Sequence, residues 1–362
     1  MPRKHSTTLP LLIFVFIEWS CAIMLICVLL AAIPLSKRLL APPLTQESLE
    51  SQASATPDLA ELAHTPTLTA SPTDIPTAWL APTMTPSATL KFTPTPQGLR
   101  GQIVFTCTPE KYNQLCLMDA DGSSQVRLTS RQANDYYPSL TPDGESITFV
   151  SNQTGRFEIY LLSLKGGQEQ RITDGLGNVT APQLSVDGQW VVFASKASGD
   201  SSIWLIRRDG SLARPLTDSS WNEIDPTWSP DGRQIAFAAA RGGYVELFVM
   251  NADGSDIRQI TRDLPGIGGR SSWSPDGRRL VFYAGPRGDR DVYIVEVASG
   301  QVTRLTQGGN NSGPSFSPDG GWIAFSSSRD GDHEIYIMRV DGTQVKQLTF
   351  NAYDDWQPRW GP

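Results

Sequence analysis

A turn written Thr141-Pro142-Asp143-Gly144 returns as Ser185-Val186-Asp187-Gly188, Ser229-Pro230-Asp231-Gly232, Ser274-Pro275-Asp276-Gly277 and Ser317-Pro318-Asp319-Gly320. The steps between successive Asp residues are 44, 44, 45 and 43. A period of this size, filled by short apolar runs between Gly/Asp turns, is the mark of one β-propeller blade repeated around an axis. In the fourth copy the runs Pro226-Thr227-Trp228, Gln234 to Ala238, Glu246 to Met250 and Ile257 to Thr261 read as four strands. Pro at the second turn position fixes φ, and Gly at the last supplies a positive φ.

The second strand gives the blade count. It reads Ile103-Val104-Phe105, Ile147-Thr148-Phe149, Val191-Val192-Phe193, Ile235-Ala236-Phe237, Leu280-Val281-Phe282 and Ile323-Ala324-Phe325. These are six copies, and the 264 residues from 99 to 362 make six periods of 44. The fold class is therefore all-β, a six-bladed β-propeller of four-stranded blades. The Phe residues read as core between blades. The first copy starts at Gln102 without a preceding Pro-x-Trp strand, whereas Trp356-Gln357-Pro358-Arg359-Trp360 is an orphan strand of that kind. Setting the orphan beside Gln102 to Cys107 closes the ring and removes its free edges.

The repeat resembles the TolB-type propeller, a WD-repeat-like family whose blade reads Pro-x-Trp-Ser-Pro-Asp-Gly, then x-Ile-x-Phe-x-Ser, then Ile-Tyr. The matching residues are Pro226 to Gly232, Pro314 to Gly320, Ile323 to Ser326, and the pairs Ile159-Tyr160, Val292-Tyr293 and Ile335-Tyr336. The likeness covers Gly101 to Pro362 and implies the fold, the closure and an extracytoplasmic setting. It departs at the front, where a TolB has a small α/β domain and this chain has an apolar run and a Thr/Pro-rich tract.

Leu9 to Leu35 is a 27-residue run whose single charge is Glu18. It is too long for the apolar core of a cleavable signal peptide and long enough to span a bilayer. Residues 1–40 are expected to form a short tail and an uncleaved transmembrane signal anchor. Residues 41–98 hold 12 Thr and 10 Pro in 58 positions. Such a composition has little to bury and is expected to be a disordered linker. The propeller of residues 99–362 then stands outside the membrane on a tether.

The formal net charge is −7; residues 1–98 hold five Lys/Arg and six Asp/Glu, leaving 25 and 31 for the propeller. An acidic propeller without a basic block is not a nucleic-acid binder. No Gly-x-Ser-x-Gly elbow, phosphate loop or His-Glu-x-x-His occurs, and the three His (His5, His64, His333) lie far apart in the chain. No metal and no cofactor are expected, and the propeller is expected to be monomeric. Asp119 to Gly122 and Asn251 to Gly254 lack the 12-residue calcium frame and read as hairpin turns.

The candidate binding site is a ring. Four residues before the blade Pro stand Asn134, Asn178, Asn222, Asn310 and Asp354; one residue later come Asp135, Glu223 and Asp355, and Ile267 breaks the pattern in blade five. Loops entering the inner strand lie at one mouth of the channel. These side chains either face a ligand there or bond their own turns, as Asn and Asp do. Tyr136, Tyr137, Trp221 and Trp356 belong to the same loops. The leading functional expectation is a non-catalytic module that binds a protein or an envelope polymer. The alternative is a glycan lyase or hydrolase acting through Asp135, Glu223 and Asp355.

Cys107 and Cys116 lie on successive strands of blade one, and an isolated pair in an exported domain reads as a disulfide. Mass spectrometry of the unreduced, exported protein is expected to show the two cysteines joined. Recovery of both as alkylated thiols counts against the bridge.

Overall fold

The computed structural model describes residues 98–362 except 219, 220 and 242. The expected membrane helix and nearly all of the expected linker lie outside the described residues. Six four-stranded sheets follow one another. Blade one is made of β1 (Gln102–Cys107), β2 (Gln114–Asp119), β3 (Val126–Arg127) and the last strand of the chain, β24 (Asp355–Gly361). Blade two is β4 (Asp135–Leu140), β5 (Ser146–Ser151), β6 (Glu158–Ser163) and β7 (Glu169–Arg171). Blade three is β8 (Val179–Leu184), β9 (Trp190–Ser195), β10 (Ser202–Arg207) and β11 (Arg214–Pro215). Blade four is β12 (Ile224–Trp228), β13 (Gln234–Arg241), β14 (Tyr244–Asn251) and β15 (Arg258–Gln259). Blade five is β16 (Ser272–Trp273), β17 (Arg279–Ala284), β18 (Asp291–Glu296) and β19 (Val302–Arg304). Blade six is β20 (Ser312–Phe316), β21 (Trp322–Ser327), β22 (Glu334–Arg339) and β23 (Lys346–Gln347).

The turn residues act as their chemistry demands. Ser229 Oγ donates to Asp231 Oδ1 at 2.6 Å, and Gly232 N donates to the Ser229 carbonyl at 2.9 Å. Gly232 sits at φ 70°, a conformation that disfavours any side chain. Blade four departs from the sequence reading. Its middle hairpin is longer, because β13 and β14 pair through Arg241↔Tyr244 and not only to Ala238↔Leu247. Its outer strand is shorter, with Arg258 and Gln259 alone in the ladder.

The six Phe residues of the second strands are at most 2% exposed and pack with the neighbouring blade. Phe237, for example, clusters with Val192 and Ile203 of blade three. Each such side chain contributes on the order of 3 kcal/mol by burial. Closure is antiparallel: Gln102↔Gly361, Ile103↔Trp360 and Val104↔Arg359 pair, and Trp360 Nε1 donates to the Arg100 carbonyl at 2.8 Å. β24 also packs between β20 and β4, so both neighbouring blades rest on it.

One backbone feature recurs in every blade. The residue before the blade Pro (Ser271 in blade five) has a left-handed φ: Tyr137 54°, Ala181 50°, Asp225 52°, Arg270 55°, Gly313 57° and Gln357 56°. Five inner strands show a register shift there, as between Tyr136 and Ser139. A bulge of this kind re-aims a side chain.

Removal of residues 356–362 is expected to leave β1 unpaired on its inner side and to unfold or aggregate the propeller. A truncated chain melting at the parental temperature would refute the closure.

Candidate functional site

The loops that enter the inner strands are held by a threonine latch. In each blade a buried Thr after the outer strand accepts a backbone N–H at the start of the third strand, at 2.8 to 2.9 Å; the acceptors are Thr129, Thr173, Thr217, Thr261, Thr306 and Thr349. In four blades its hydroxyl donates to a carboxylate: Thr173 to Glu158 at 2.5 Å, Thr306 to Asp291 at 2.7 Å, and likewise Thr261 to Glu246 and Thr349 to Glu334. In blade three that carboxylate position is Ser202, and Glu223 from the next loop supplies the acceptor to Thr217 instead.

This explains where the three predicted carboxylates stand. Asp135, Glu223 and Asp355 are each 0% exposed, at three different blade boundaries. Asp135 faces Arg131 Nε at 3.2 Å. Asp355 accepts from Asn351 Nδ2 at 2.6 Å. The structure does not bring the three together in an open cleft. The Asn/Asp ring divides in the same way. Asn134 Oδ1 accepts from Asn113 N and Nδ2 at 3.0 and 3.1 Å. Asn310 Nδ2 donates to Ser328 Oγ at 3.2 Å, and Asp354 Oδ1 accepts from His333 N at 2.9 Å. Asn178 and Asn222 are exposed. Cys107 and Cys116 are joined in a disulfide across β1 and β2.

The aromatic residues do converge. Tyr136 lies 5.8 Å from Trp356, 5.9 Å from Phe157 and 6.4 Å from Tyr137, ring centre to ring centre. With Val150 and Val179 they wall a cleft of about 370 Å³ whose floor is Tyr137 and Gln357. Tyr136 Oη accepts from Asn113 Nδ2 at 2.9 Å, so the ring is fixed before anything binds. Gln357 Oε1 accepts from Tyr137 N at 2.9 Å and from Thr106 Oγ1 at 3.2 Å, which ties blade one to blade two at the floor. Trp221 does not line this cleft; it stands in blade four with the Arg241 guanidinium 3.4 Å above its ring centre.

Beneath the cleft lies a charged layer. Arg270 is 5% exposed, stacks on Tyr137 at 5.3 Å, and donates through Nη2 to the carbonyls of Pro138 and Gln357 at 3.2 and 3.4 Å. Arg359 Nη1 donates to the Ser271 carbonyl at 3.0 Å. Burial raises the Asp225 carboxyl above its usual range, against the attraction of Arg270 and Arg359. Gly269 is required here, since a Cβ on it would lie 1.6 Å from Asp225 Oδ2. Asp225, Arg270 and Gln357 are members of the left-handed set before the blade Pro. In sequence this position holds a different residue in each of the six blades, so no repeated residue type marked it.

Six four-stranded sheets around a channel, with an aromatic cleft at one mouth, define an all-β six-bladed propeller. The chain belongs to the TolB β-propeller family: the model described as "TolB beta propeller domain" matches residues 175–264 and 258–362. Among solved structures, the TolB of Acinetobacter baumannii is 26% identical, with 74% of this chain and 68% of that chain covered and a TM-score of 0.67. A putative TolB from Agrobacterium tumefaciens is 22% identical over 72% of this chain and 92% of that one, at TM-score 0.59. The hydrazine synthase of Kuenenia stuttgartiensis is 18% identical over 72% of this chain and 47% of that one, at TM-score 0.60. The last two show the fold alone. No curated protein sequence matches the chain.

The Asp355 carboxyl is pushed up to about 7 from its ordinary 3.8, by burial first and by repulsion from Glu334 and Asp332 beyond what the Asn351 hydrogen bond recovers. The folded ring therefore keeps a proton that the unfolded chain releases. Stability from this group is complete below about pH 4 and is lost as pH rises through about 7, a loss on the order of 4 kcal/mol. Burial raises Asp135 and Glu334 in the same direction. The melting temperature is expected to fall between about pH 5 and pH 8, and Asp355→Asn to flatten that slope. An equal slope in parent and variant would remove Asp355 as its source.

Proposed function

We propose that this protein is a membrane-anchored, extracytoplasmic β-propeller that recruits a protein or an envelope polymer and performs no chemistry of its own. The observation that carries the proposal is the cleft of Tyr136, Phe157 and Trp356, whose rings are exposed along one side and rigid before binding. Rigid aromatic side chains in a concave mouth are the residues that dominate binding energy in interfaces, because they lose little conformational entropy on contact. The setting rests on the family and on the Cys107–Cys116 disulfide, which suits an oxidising compartment. The anchor and tether, residues 1–40 and 41–98, rest on sequence composition.

The glycan-enzyme reading requires Asp135, Glu223 and Asp355 to act on a sugar. Their complete burial at separate blade boundaries weighs against it.

The full-length tagged protein, cross-linked in intact cells and purified from membranes, is expected to carry a specific polypeptide or polymer. Tyr136→Ala combined with Phe157→Ala is expected to weaken that capture about tenfold or more, at a melting temperature that shows the fold intact. Undiminished capture by the double variant would move the binding surface elsewhere. Polysaccharide turnover lost in an Asp135→Asn, Glu223→Gln, Asp355→Asn variant would favour the enzyme.

A further inference from the structure

The charged layer under the mouth does not balance. Two guanidinium groups, Arg270 from blade five and Arg359 from blade one, reach the wall of one small cavity at the axis. That cavity is lined from the inner strands of blades one to five, with Tyr137, Ser139 and Gln183 among its walls. Among the described residues, Asp225 is the carboxylate acting on both guanidinium groups, and no carboxylate oxygen lies within 4.0 Å of either one. Arg270 is buried and Arg359 half-buried, and holding two cations beside one anion that neither guanidinium touches is costly unless a further negative charge is supplied.

The unused donors converge on the same place. Arg270 Nε is buried and has no hydrogen-bond partner, although Nη2 of the same group is spent on two carbonyls. Gln183, which also lines the cavity, accepts through Oε1 from Trp228 N at 2.7 Å and keeps its amide nitrogen as a donor. Every one of these groups donates. The cavity measures about 10 Å³, which is room for one particle of roughly the size of a water molecule. A water can accept two hydrogen bonds and must place its own protons somewhere. A spherical anion accepts from all sides and also supplies the missing charge. Burial and the repulsion of Arg270 push the Arg359 guanidinium below its usual range, and an anion between the two relieves that repulsion.

We propose that the channel holds one small monovalent anion of the halide class between Arg270 and Arg359. The anion serves as the keystone of the inner strands, because its ligands come from different blades. This site is independent of what the mouth above it binds.

The test uses the full-length protein in detergent, titrated with sodium chloride against sodium gluconate at constant ionic strength, with the melting temperature as readout. Gluconate is too large for the cavity. The parent is expected to gain stability along a saturable chloride curve. Arg359→Met is expected to weaken half-saturation by about tenfold or more, and Arg359→Lys to retain part of the response. Crystals of the parent grown in bromide are expected to show an anomalous peak between the two guanidinium groups, and this measurement decides the matter if Arg359→Met does not fold. Chloride and gluconate giving the same curve, Arg359→Met responding like the parent, or bromide absent from the channel would each overturn the proposal.

Discussion

The pairing of β24 with β1 is the contact on which the ring depends, and it is the most non-local one in the molecule. Thr106 Oγ1 meets Gln357 across 251 residues of chain. The hydrogen bonds at this seam are ordinary in strength; their importance is topological. Without them an open sheet edge faces solvent at β1, and β24 no longer supports β4 and β20 on its flanks. Asp355 begins that same strand and is buried with a carboxyl neighbour, Glu334, so the seam also carries a group that responds to proton concentration. The Cys107–Cys116 bridge lies on the two strands beside it and holds one partner of the seam as a preformed hairpin. Closing a loop that long is slow relative to local hairpin formation, and a hairpin that is already fixed presents a single register to the arriving strand.

Most of the architecture was legible because the repeat states it six times. Blade number, strand type, the Phe layer between blades and the closing strand all follow from residues whose roles are set by backbone geometry: Pro and Gly in the turn, alternating apolar residues in the strand. Blade four was harder, since Ala239, Ala240 and Arg241 continue the ladder although Gly242-Gly243 in the sequence reads as a break directly after them. Ala and Arg carry no strong strand preference, and pairing with Val245 and Tyr244 decided the matter.

The site was less legible, for a physical reason. Asn134, Asp135 and their counterparts repeat because they serve the loop itself, through the threonine latch and the contacts with Asn113, Asn152 and His333. Repetition in a ring signals scaffold. What differs between blades is what can make one part of the mouth unlike another, and no residue pattern announces a difference. Tyr136 and Trp356 were visible as loop aromatics, yet Phe157 comes from the β5–β6 hairpin of blade two, and Trp356 joins it and Tyr136 only through the closure of the ring. Arg270 and Arg359 lie 89 residues apart in the numbering of the chain and meet only at the axis.

The left-handed residue before each blade Pro has a consequence for how such a protein changes over time. Tyr, Ala, Asp, Arg, Gly and Gln all occupy this position with φ between 50° and 57°. The backbone conformation is therefore imposed by the surrounding bulge and tolerates almost any side chain, at a strain of order 1 kcal/mol that the blade absorbs. The fold thus offers six interchangeable sockets around one axis, each open to substitution without rebuilding the frame. A lineage can rewrite the chemistry of the channel one socket at a time, in any order, while the strands that carry those sockets remain as they were.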